Sequence, residues 1–363
     1  MDRPLDILGL CSGELAAEAA RRLGSGAGVA GRVYARAFET GRLEPEAFGL
    51  SAVSCRAWRE SFRVGLLEPV ALVEEEGGAG ITAKALLRAE DGSEIECVRI
   101  PMRGAAAGGG PRFTLCLSSQ VGCRMGCAFC ETGRGGLVRG LSAAEIVSQV
   151  LSARILLGWD CRNLVFMGMG EPFDNFPELA RALAVLLDPR GPGYAQERIT
   201  VCTSGQVEGI RALRALGYKR LGLSVSLNAG EDEKRARLMP IARRWGLAEL
   251  AAALRDYPQR RNFALGVNYC LLPGINDGRE DAAAVARFCA SIGRCLVNLI
   301  PYNPGRAPIA RAPSAEEEER FQGWLAEEGL LVRAREAKGG SIMAACGQLG
   351  GGPCPAAGGA AGA

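Results

Sequence analysis

The pattern of apolar and polar residues changes character twice along the chain. Segments within residues 1–65 are helical in pattern and are separated by Gly and Pro. Residues 68–101 alternate between apolar and polar positions, and Asp91-Gly92 lies between two of the alternating runs, which predicts a small antiparallel sheet with a hairpin. The Gly-rich stretch 103–112 predicts a flexible linker.

From residue 113 onward, strand-like and helical patterns alternate. Two capping boxes, Ser142 with Glu145 and Ser314 with Glu317, mark helix starts. Spacings of roughly 25–45 residues between strands are typical of βα units, and about six units predict a partial barrel rather than a closed one of eight. Ligands are then expected at the carboxyl ends of the strands. The strand-like runs are 113–117, 163–168, 198–204, 220–228, 263–272, 295–302 and 330–336.

These patterns predict an α/β protein of 363 residues with several units. A small N-terminal helical accessory domain covers residues 1–65, and a short antiparallel β extension with its Gly-rich linker covers 66–112. A partial (βα)6 barrel follows over 113–349. The low-complexity stretch 350–363 is expected to be disordered.

Composition removes several kinds of chemistry. The chain contains no histidine, which excludes a Ser-His-Asp triad, a His-bearing zinc site and a histidine general base. It carries 14 cysteines without a secretory signal or a membrane-length apolar run, so we expect a cytoplasmic protein with no membrane span and with reduced thiols. In that setting cysteine spacing points to metal binding or catalysis.

Charge is unevenly distributed although the net charge is only +3. Residues 99–139 hold six Arg and one acid, a net of +5, and residues 234–261 hold eight basic residues and two acids, a net of +6. Such stretches indicate a polyanionic partner. The alternative is compositional bias, since only four of the 43 basic residues are Lys.

One cysteine array stands out. Cys123, Cys127 and Cys130 form a C-x3-C-x2-C motif just after the first strand of the βα region. A full four-iron cluster takes four thiolates, so three would leave one iron open for chemistry. The alternatives are chance clustering and a structural zinc site with Cys116 as a fourth ligand.

With Phe129 before its last cysteine, this array resembles that of the radical S-adenosylmethionine (SAM) superfamily. Later strands are followed in order by MGMGEP (167–172), TSG (203–205), SLN (226–228) and YNP (302–304), which resemble SAM-binding motifs of that superfamily. The resemblance implies a [4Fe-4S] cluster on the three cysteines and SAM as cofactor. The SAM-binding residues it implies are Gly170, Glu171, Ser204, Ser226, Leu227, Asn228 and Asn303.

Longer strings, TLCLSSQVGCRMGCAFC, NLIPYNP and AACGQL among them, resemble the RlmN/Cfr family of RNA methylases over roughly residues 90–350. The resemblance implies methylation of an adenine ring carbon, which has no lone pair to attack SAM directly. It implies that Cys346 carries the methyl group, that Glu96 removes the ring proton, and that Cys116 forms a transient disulfide with Cys346. The implied partners are rRNA, in many members also tRNA, and a flavodoxin- or ferredoxin-like electron donor; we expect a monomer.

Several readings stay open on the sequence alone. The rivals are a C8-specific adenine methylase, a radical SAM enzyme for another substrate, and a non-enzymatic iron–sulfur or zinc RNA-binding module. The chain departs from the family at Asn228, where His is usual, and at Ser341 and Met343, where acids are usual. Other cysteines next to apolar segments are expected to be buried packing residues. They are Cys161, Cys202, Cys270, Cys289 and Cys295.

Overall fold

The computed structural model describes residues 3–23, 26–102, 104, 111–258 and 265–350. Its N-terminal part is a helical unit whose two ends meet, because β1 (Leu5–Asp6) pairs in parallel with β2 (Phe62–Arg63). Tyr34 and Trp58 are fully buried in this unit. The domain boundary near residue 65 stays a prediction. The helices are α1 (Ser12–Leu23), α2 (Ala30–Thr40) and α3 (Ala52–Ser61).

The rest of the described chain is organised around one ten-stranded sheet. Seven neighbouring strands are parallel and carry the βα units predicted from residue 113 onward. They are β6 (Arg112–Cys116), β9 (Asn163–Phe166), β10 (Ile199–Thr203), β11 (Gly222–Ser226), β12 (Leu265–Leu271), β13 (Cys295–Pro301) and β14 (Val332–Ala334).

The small antiparallel sheet predicted from the sequence forms, but it is part of the main sheet and does not stand alone. Its strands β3 (Glu68–Gly77), β4 (Gly80–Arg88) and β5 (Glu94–Met102) continue the main sheet, because β5 pairs with β6. The pairing covers an edge of β6 that would otherwise expose unpaired backbone groups. Arg112 begins β6 instead of ending the linker, while 103 and 105–110 of that linker lie outside the described residues.

A two-stranded ribbon, β7 (Gln120–Gly122) with β8 (Leu137–Gly140), follows β6. Both expected capping boxes form, at Ser142 and at Ser314. No helix in the described ranges is long and apolar enough to cross a membrane. The remaining helices are α4 (Glu131–Arg134), α5 (Ala143–Leu156), α6 (Phe176–Leu187), α7 (Val207–Ala215), α8 (Asp232–Leu238), α9 (Leu247–Arg255), α10 (Arg279–Ile292) and α11 (Ala315–Glu327).

After β14 the chain returns across the sheet to the antiparallel extension. We call residues 339–350 the return segment. It contacts β3 through Glu75 and β5 through Glu96, and it brings Cys346 over the carboxyl ends of the parallel strands. Gly350, the first residue of the expected disordered stretch, is placed by a hydrogen bond to Glu96; residues 351–363 lie outside the described residues.

Candidate active site

The three cysteines of the array lie on the loop between β7 and α4. Gly122 begins this loop with φ of +77°, and a Cβ there would lie 2.0 Å from the Gly136 carbonyl oxygen, so only glycine fits. The Cys123 N–H donates to Gly136 O at 2.8 Å, and the Ala128 N–H donates to Leu238 O at 2.9 Å. The loop is therefore fixed by backbone bonds at both ends.

The thiols of the array lie close enough to interact electrostatically. Burial raises the pKa of Cys123 to about 12, with the Cys130 thiol adding to the effect. Burial also raises the pKa of Cys127, again with Cys130 and Cys123 contributing. Thiols held in this state bind a metal only by losing their protons, so metal binding would stabilise the thiolates.

In the described residues, no three His, Cys, Asp or Glu side chains are arranged around a single metal ion. A cubic cluster makes a different demand, since each thiolate binds a different iron atom. The array supplies three such thiolates, the ligand type that iron–sulfur clusters take. Arg235 lies near Cys127, and its buried Nη1 has no partner. A buried cation beside three thiolates suits a site that holds a negatively charged group.

Most of the predicted SAM-binding residues follow successive parallel strands. Ser204 comes directly after β10, Ser226 ends β11, and Asn303 follows β13 by two residues. The Ser204 hydroxyl is buried and lies beside the Glu171 carboxylate, where it opposes the rise in the pKa of that group. A polar side chain at a strand end is a group that a polar ligand can contact.

Gly170 and Glu171 follow β9 and form a tight backbone turn. Gly170 has φ of +99°, and a Cβ there would lie 2.6 Å from Gln120 Cβ. The buried Glu171 carboxylate accepts the Ser204 N–H at 2.7 Å and the Phe173 N–H at 3.2 Å. Burial raises the Glu171 pKa, and these hydrogen bonds oppose the rise. Glu171 thus ties the end of β9 to the end of β10.

Leu227 and Asn228 stand at the end of β11, and both are buried. Asn228 has φ of +59°, a left-handed conformation that Asn adopts more readily than most residues. Its side-chain oxygen accepts the Cys270 N–H at 2.8 Å, and its amide nitrogen lies 3.2 Å from the Met239 sulfur. The departure from the family's His is therefore built into the local backbone and its bonds.

The two proposed reactive cysteines lie in different settings within one site. Cys116 ends β6 and is 6% exposed, whereas Cys346 on the return segment is exposed. Both thiols are free. Burial raises the pKa of Cys116, and the Cys346 thiol adds to the rise. Residues 116 and 346 are distant in sequence, yet their thiols lie close enough in the structure for Cys346 to affect the Cys116 pKa.

Cys346 also faces the cluster loop. Although the Cys346 residue is exposed, the protein atoms around its sulfur desolvate the thiol and raise its pKa; the Arg335 guanidinium opposes that rise, and Cys130 adds to it. The Cys346 sulfur lies 3.7 Å from the Met167 sulfur, at the end of β9. Cys346 thus lies at the end of β9, close enough to Cys130 and Cys116 for the thiols to affect one another's pKa.

Glu96 lies on β5 at the edge of this site. It is 2% exposed, rather than on the solvent side of an alternating strand. Its carboxylate accepts from Lys84 Nζ at 3.1 Å and from the Gly350 N–H at 2.8 Å. A carboxylate has about four lone-pair positions, so both bonds leave room for a further proton.

Sequence reasoning missed three cations at the site: Lys84, Arg235 and Arg335. Arg335 donates to Asn298 on β13 at 3.1 Å, which aims its guanidinium into the sheet. Of the cysteines predicted to be packing residues, Cys202 and Cys270 lie near this site: Cys202 is near Cys116 and Cys346, and Cys270 is near Cys346. Their positions near the ends of strands in the sequence could have indicated this.

The structure shows that not all arginines of the two basic stretches, 99–139 and 234–261, are available to a polyanionic partner. Arg235 is fully buried, and its guanidinium donates to the carbonyl groups of Ser204 and Leu227. Arg139 is paired with acids on both sides. By contrast, Arg237 and Arg243 are exposed. Part of the positive charge counted from the sequence is therefore used in contacts within the protein.

Comparisons with known proteins identify relatives over most of the chain. Residues 117–288 match the radical SAM superfamily. The chain is 42% identical to the dual-specificity RNA methyltransferase RlmN of Syntrophotalea carbinolica over 301 residues, 83% of this chain and 77% of that protein. It is 40% identical to a probable enzyme of the same name from Moorella thermoacetica, over 96% of this chain and 98% of that one.

A solved structure shows the same likeness in three dimensions. A radical SAM methyltransferase from Sphaerobacter thermophilus superposes with a TM-score of 0.84 at 35% identity. The superposition covers 95% of this chain and 99% of that one. The likeness therefore extends beyond the barrel to most of the N-terminal helical unit.

Proposed function

We propose that this chain, which belongs to the RlmN family of radical SAM RNA methyltransferases, methylates C2 of an adenosine in 23S rRNA and in tRNA. It is a SAM-dependent enzyme of the radical SAM type, with a [4Fe-4S] cluster and SAM as cofactors. The observation that carries the proposal is the place of the return segment: the Cys346 sulfur lies 3.7 Å from Met167 at the end of β9, and the neighbouring Gly347 O accepts the Glu131 N–H beside Cys130 at 2.7 Å.

The residues present suit the cofactors. Cys123, Cys127 and Cys130 would hold the cluster. SAM would lie against Gly170, Glu171, Ser204, Ser226, Leu227, Asn228 and Asn303 at the strand ends. When bound, the cofactors supply a methyl group and a 5′-deoxyadenosyl radical.

The protein's own residues then have separate tasks. The Cys346 sulfur would accept the methyl group in exchange for its own proton. The 5′-deoxyadenosyl radical would then remove one hydrogen atom from that methyl group, so that the remaining methylene carbon can bond to the adenine ring carbon. Once the ring proton has left as well, one unpaired electron remains, and it would return to the cluster, which supplies one electron for SAM cleavage. Glu96 takes the ring proton, and its carboxylate is held in a buried ion pair with Lys84. Cys116 attacks the Cys346 sulfur, so the S–S bond forms as the S–C bond breaks. The carbon keeps that electron pair and takes a proton to become the product methyl group.

The proposal extends to partners and location. The N-terminal helical unit and exposed arginines such as Arg237 and Arg243 bind the RNA backbone. A flavodoxin- or ferredoxin-like protein supplies the electron, and the enzyme acts as a monomer. Its free thiols and its RNA substrate support a cytoplasmic location, where thiols stay reduced.

The test is nucleoside mass spectrometry on rRNA and tRNA incubated with the reconstituted enzyme, SAM and a reductant. We expect 2-methyladenosine from wild type and none from Cys346→Ala, with Cys161→Ala as the matched buried-cysteine control. The appearance of 8-methyladenosine would assign the chain to the C8 rival. SAM cleavage without any methylated nucleoside would overturn the RNA proposal.

A further inference from the structure

Three adjacent antiparallel strands each hold the return segment with one charged side chain. On β3, Glu75 accepts the N–H groups of Gly339 at 2.6 Å and Ser341 at 2.8 Å. On β4, Lys84 donates to the Met343 carbonyl oxygen at 3.1 Å. On β5, Glu96 accepts the Gly350 N–H at 2.8 Å. The segment that carries Cys346 is therefore bound at its start, middle and end.

Lys84 is distinctive because it contacts two parts of the site at once. Its ammonium donates to Glu96 Oε1 at 3.1 Å as well as to Met343 O. Lys84 pairs in register with Val98, and Glu96 pairs with Leu86, so Lys84 and Glu96 are diagonal neighbours on one face of the sheet. Both side chains are at most 5% exposed, which removes water as an alternative partner.

We propose that Lys84 is a positioning residue that holds the Glu96 carboxylate and the Cys346 segment in one fixed arrangement. The inference rests on the proposed function only in giving Cys346 and Glu96 their roles as methyl carrier and base. Because the Lys84 ammonium binds both acceptors, it sets the distance between the Glu96 carboxylate and the Met343 carbonyl. A third bond, from the Gly350 N–H to Glu96, ties the end of the return segment to the same carboxylate.

The local backbone shows why such a hold is needed. Met343 has φ of +53°, a left-handed conformation that a Met side chain rarely adopts. Its carbonyl is the one that Lys84 binds, three residues before Cys346. The Cys346 side chain is itself exposed, so its position depends on the backbone bonds on either side of it. A displacement of about 1 Å at a reacting group costs about a hundredfold in rate.

The experiment compares Lys84→Met and Lys84→Arg with Lys338→Met as the matched control. Lys338 precedes the return segment, and its ammonium donates to the Pro101 carbonyl oxygen on β5 at 2.6 Å. The first measurement is hydrogen exchange of residues 339–350 in the cluster-loaded protein. We expect exchange about tenfold faster in Lys84→Met, wild-type rates in Lys84→Arg, and little change near Gly350 in Lys338→Met.

The second measurement is steady-state RNA methylation. Lys84 is buried, and its ammonium binds Glu96 and the Met343 carbonyl of the protein itself. In Lys84→Met we therefore expect kcat to fall about a hundredfold, at the lower end of what a positioned base contributes, while KM for RNA stays within about twofold. Lys84→Arg keeps the charge and should recover kcat to within about tenfold of wild type.

Two results would overturn the inference: unchanged exchange of residues 339–350 in Lys84→Met, or a kcat loss that Lys338→Met reproduces. If Lys84→Met fails to fold, Lys84→Gln takes its place, because Gln retains a donor for the Met343 carbonyl without the charge. Lys84→Gln should show slow hydrogen exchange of residues 339–350 together with a low kcat. A normal kcat in this variant would overturn the inference. If wild type methylates no RNA, the proposed function fails, and the exchange comparison still decides whether Lys84 holds the segment.

Discussion

Asn228 offers a prediction whose size can be worked out from its surroundings. Replacing it by Ala removes the acceptor of the buried Cys270 N–H and forces a Cβ-bearing residue without a polar side chain to keep φ of +59°. An unsatisfied buried N–H costs about 1–3 kcal/mol, and the left-handed backbone costs about 1–2 kcal/mol. Asn228→Ala should therefore lower the free energy of unfolding by about 2–5 kcal/mol.

Asn228→Gly separates the two contributions. Glycine adopts the left-handed conformation without strain, so only the loss of the hydrogen bond, about 1–3 kcal/mol, should remain. Urea unfolding of the reconstituted proteins, analysed with a shared slope, measures the difference. Asn228→His should keep the backbone, since His also tolerates this region, and should change SAM affinity by less than about tenfold.

The reasoning about Asn228 would be refuted by equal stability of the Ala and Gly variants, because the strain would then be absent. A hundredfold gain in SAM affinity in Asn228→His would show that Asn228 impairs the cofactor site. Equilibrium dialysis with labelled SAM distinguishes these results.

Four further predictions concern the cysteines and the charges. Cys127→Ala should lose bound iron and the visible absorption of the cluster, whereas Cys161→Ala, a buried thiol remote from the array in sequence, should keep both; full iron content in Cys127→Ala would contradict the ligand assignment. Cys116→Ala should still accept a methyl group on Cys346 and then stall as a protein–RNA adduct, seen as a nuclease-sensitive shifted band on a denaturing gel; normal turnover would remove Cys116 from the mechanism. Because desolvation of its sulfur raises the Cys346 pKa, alkylation of Cys346 by iodoacetamide in the cluster-free protein should speed up as pH rises through the alkaline range. Arg335→Met should slow the alkylation at fixed pH by raising that pKa further, with Arg333→Met as control. An alkylation rate that does not depend on pH would contradict this. RNA affinity should fall steeply with salt, and Arg237→Gln and Arg243→Gln should each reduce the logarithmic slope by about one; unchanged slopes would show that these side chains do not face phosphates.

The parts of the molecule that repeat a simple pattern were predictable. The seven parallel strands, both capping boxes and the order of the strand-end motifs follow from periodicity and spacing, because a βα unit is a local arrangement. The cysteine array was equally clear, since its three members lie within eight residues. The residue roles assigned through family resemblance stay predictions.

What the sequence did not reveal depends on contacts between distant segments. Nothing near Lys84 indicates that residues 339–350 will cover its face of the sheet. Arg235 was counted among the basic residues of 234–261, yet its guanidinium is buried and donates to the carbonyl oxygens of Ser204 and Ser226 at the ends of β10 and β11. The single continuous sheet also escaped prediction, since the pairing of β5 with β6 spans the linker.

The return segment has a consequence for how the enzyme comes into being. Every residue found to hold it, from Glu75 to Thr132 and Pro304, lies earlier in the chain and leaves the ribosome first. The barrel and the extension can therefore assemble while Cys346 has yet to be synthesised. Because Cys346 leaves the ribosome after all of these residues, the order of synthesis delays its thiol until the strands and loops around it can form.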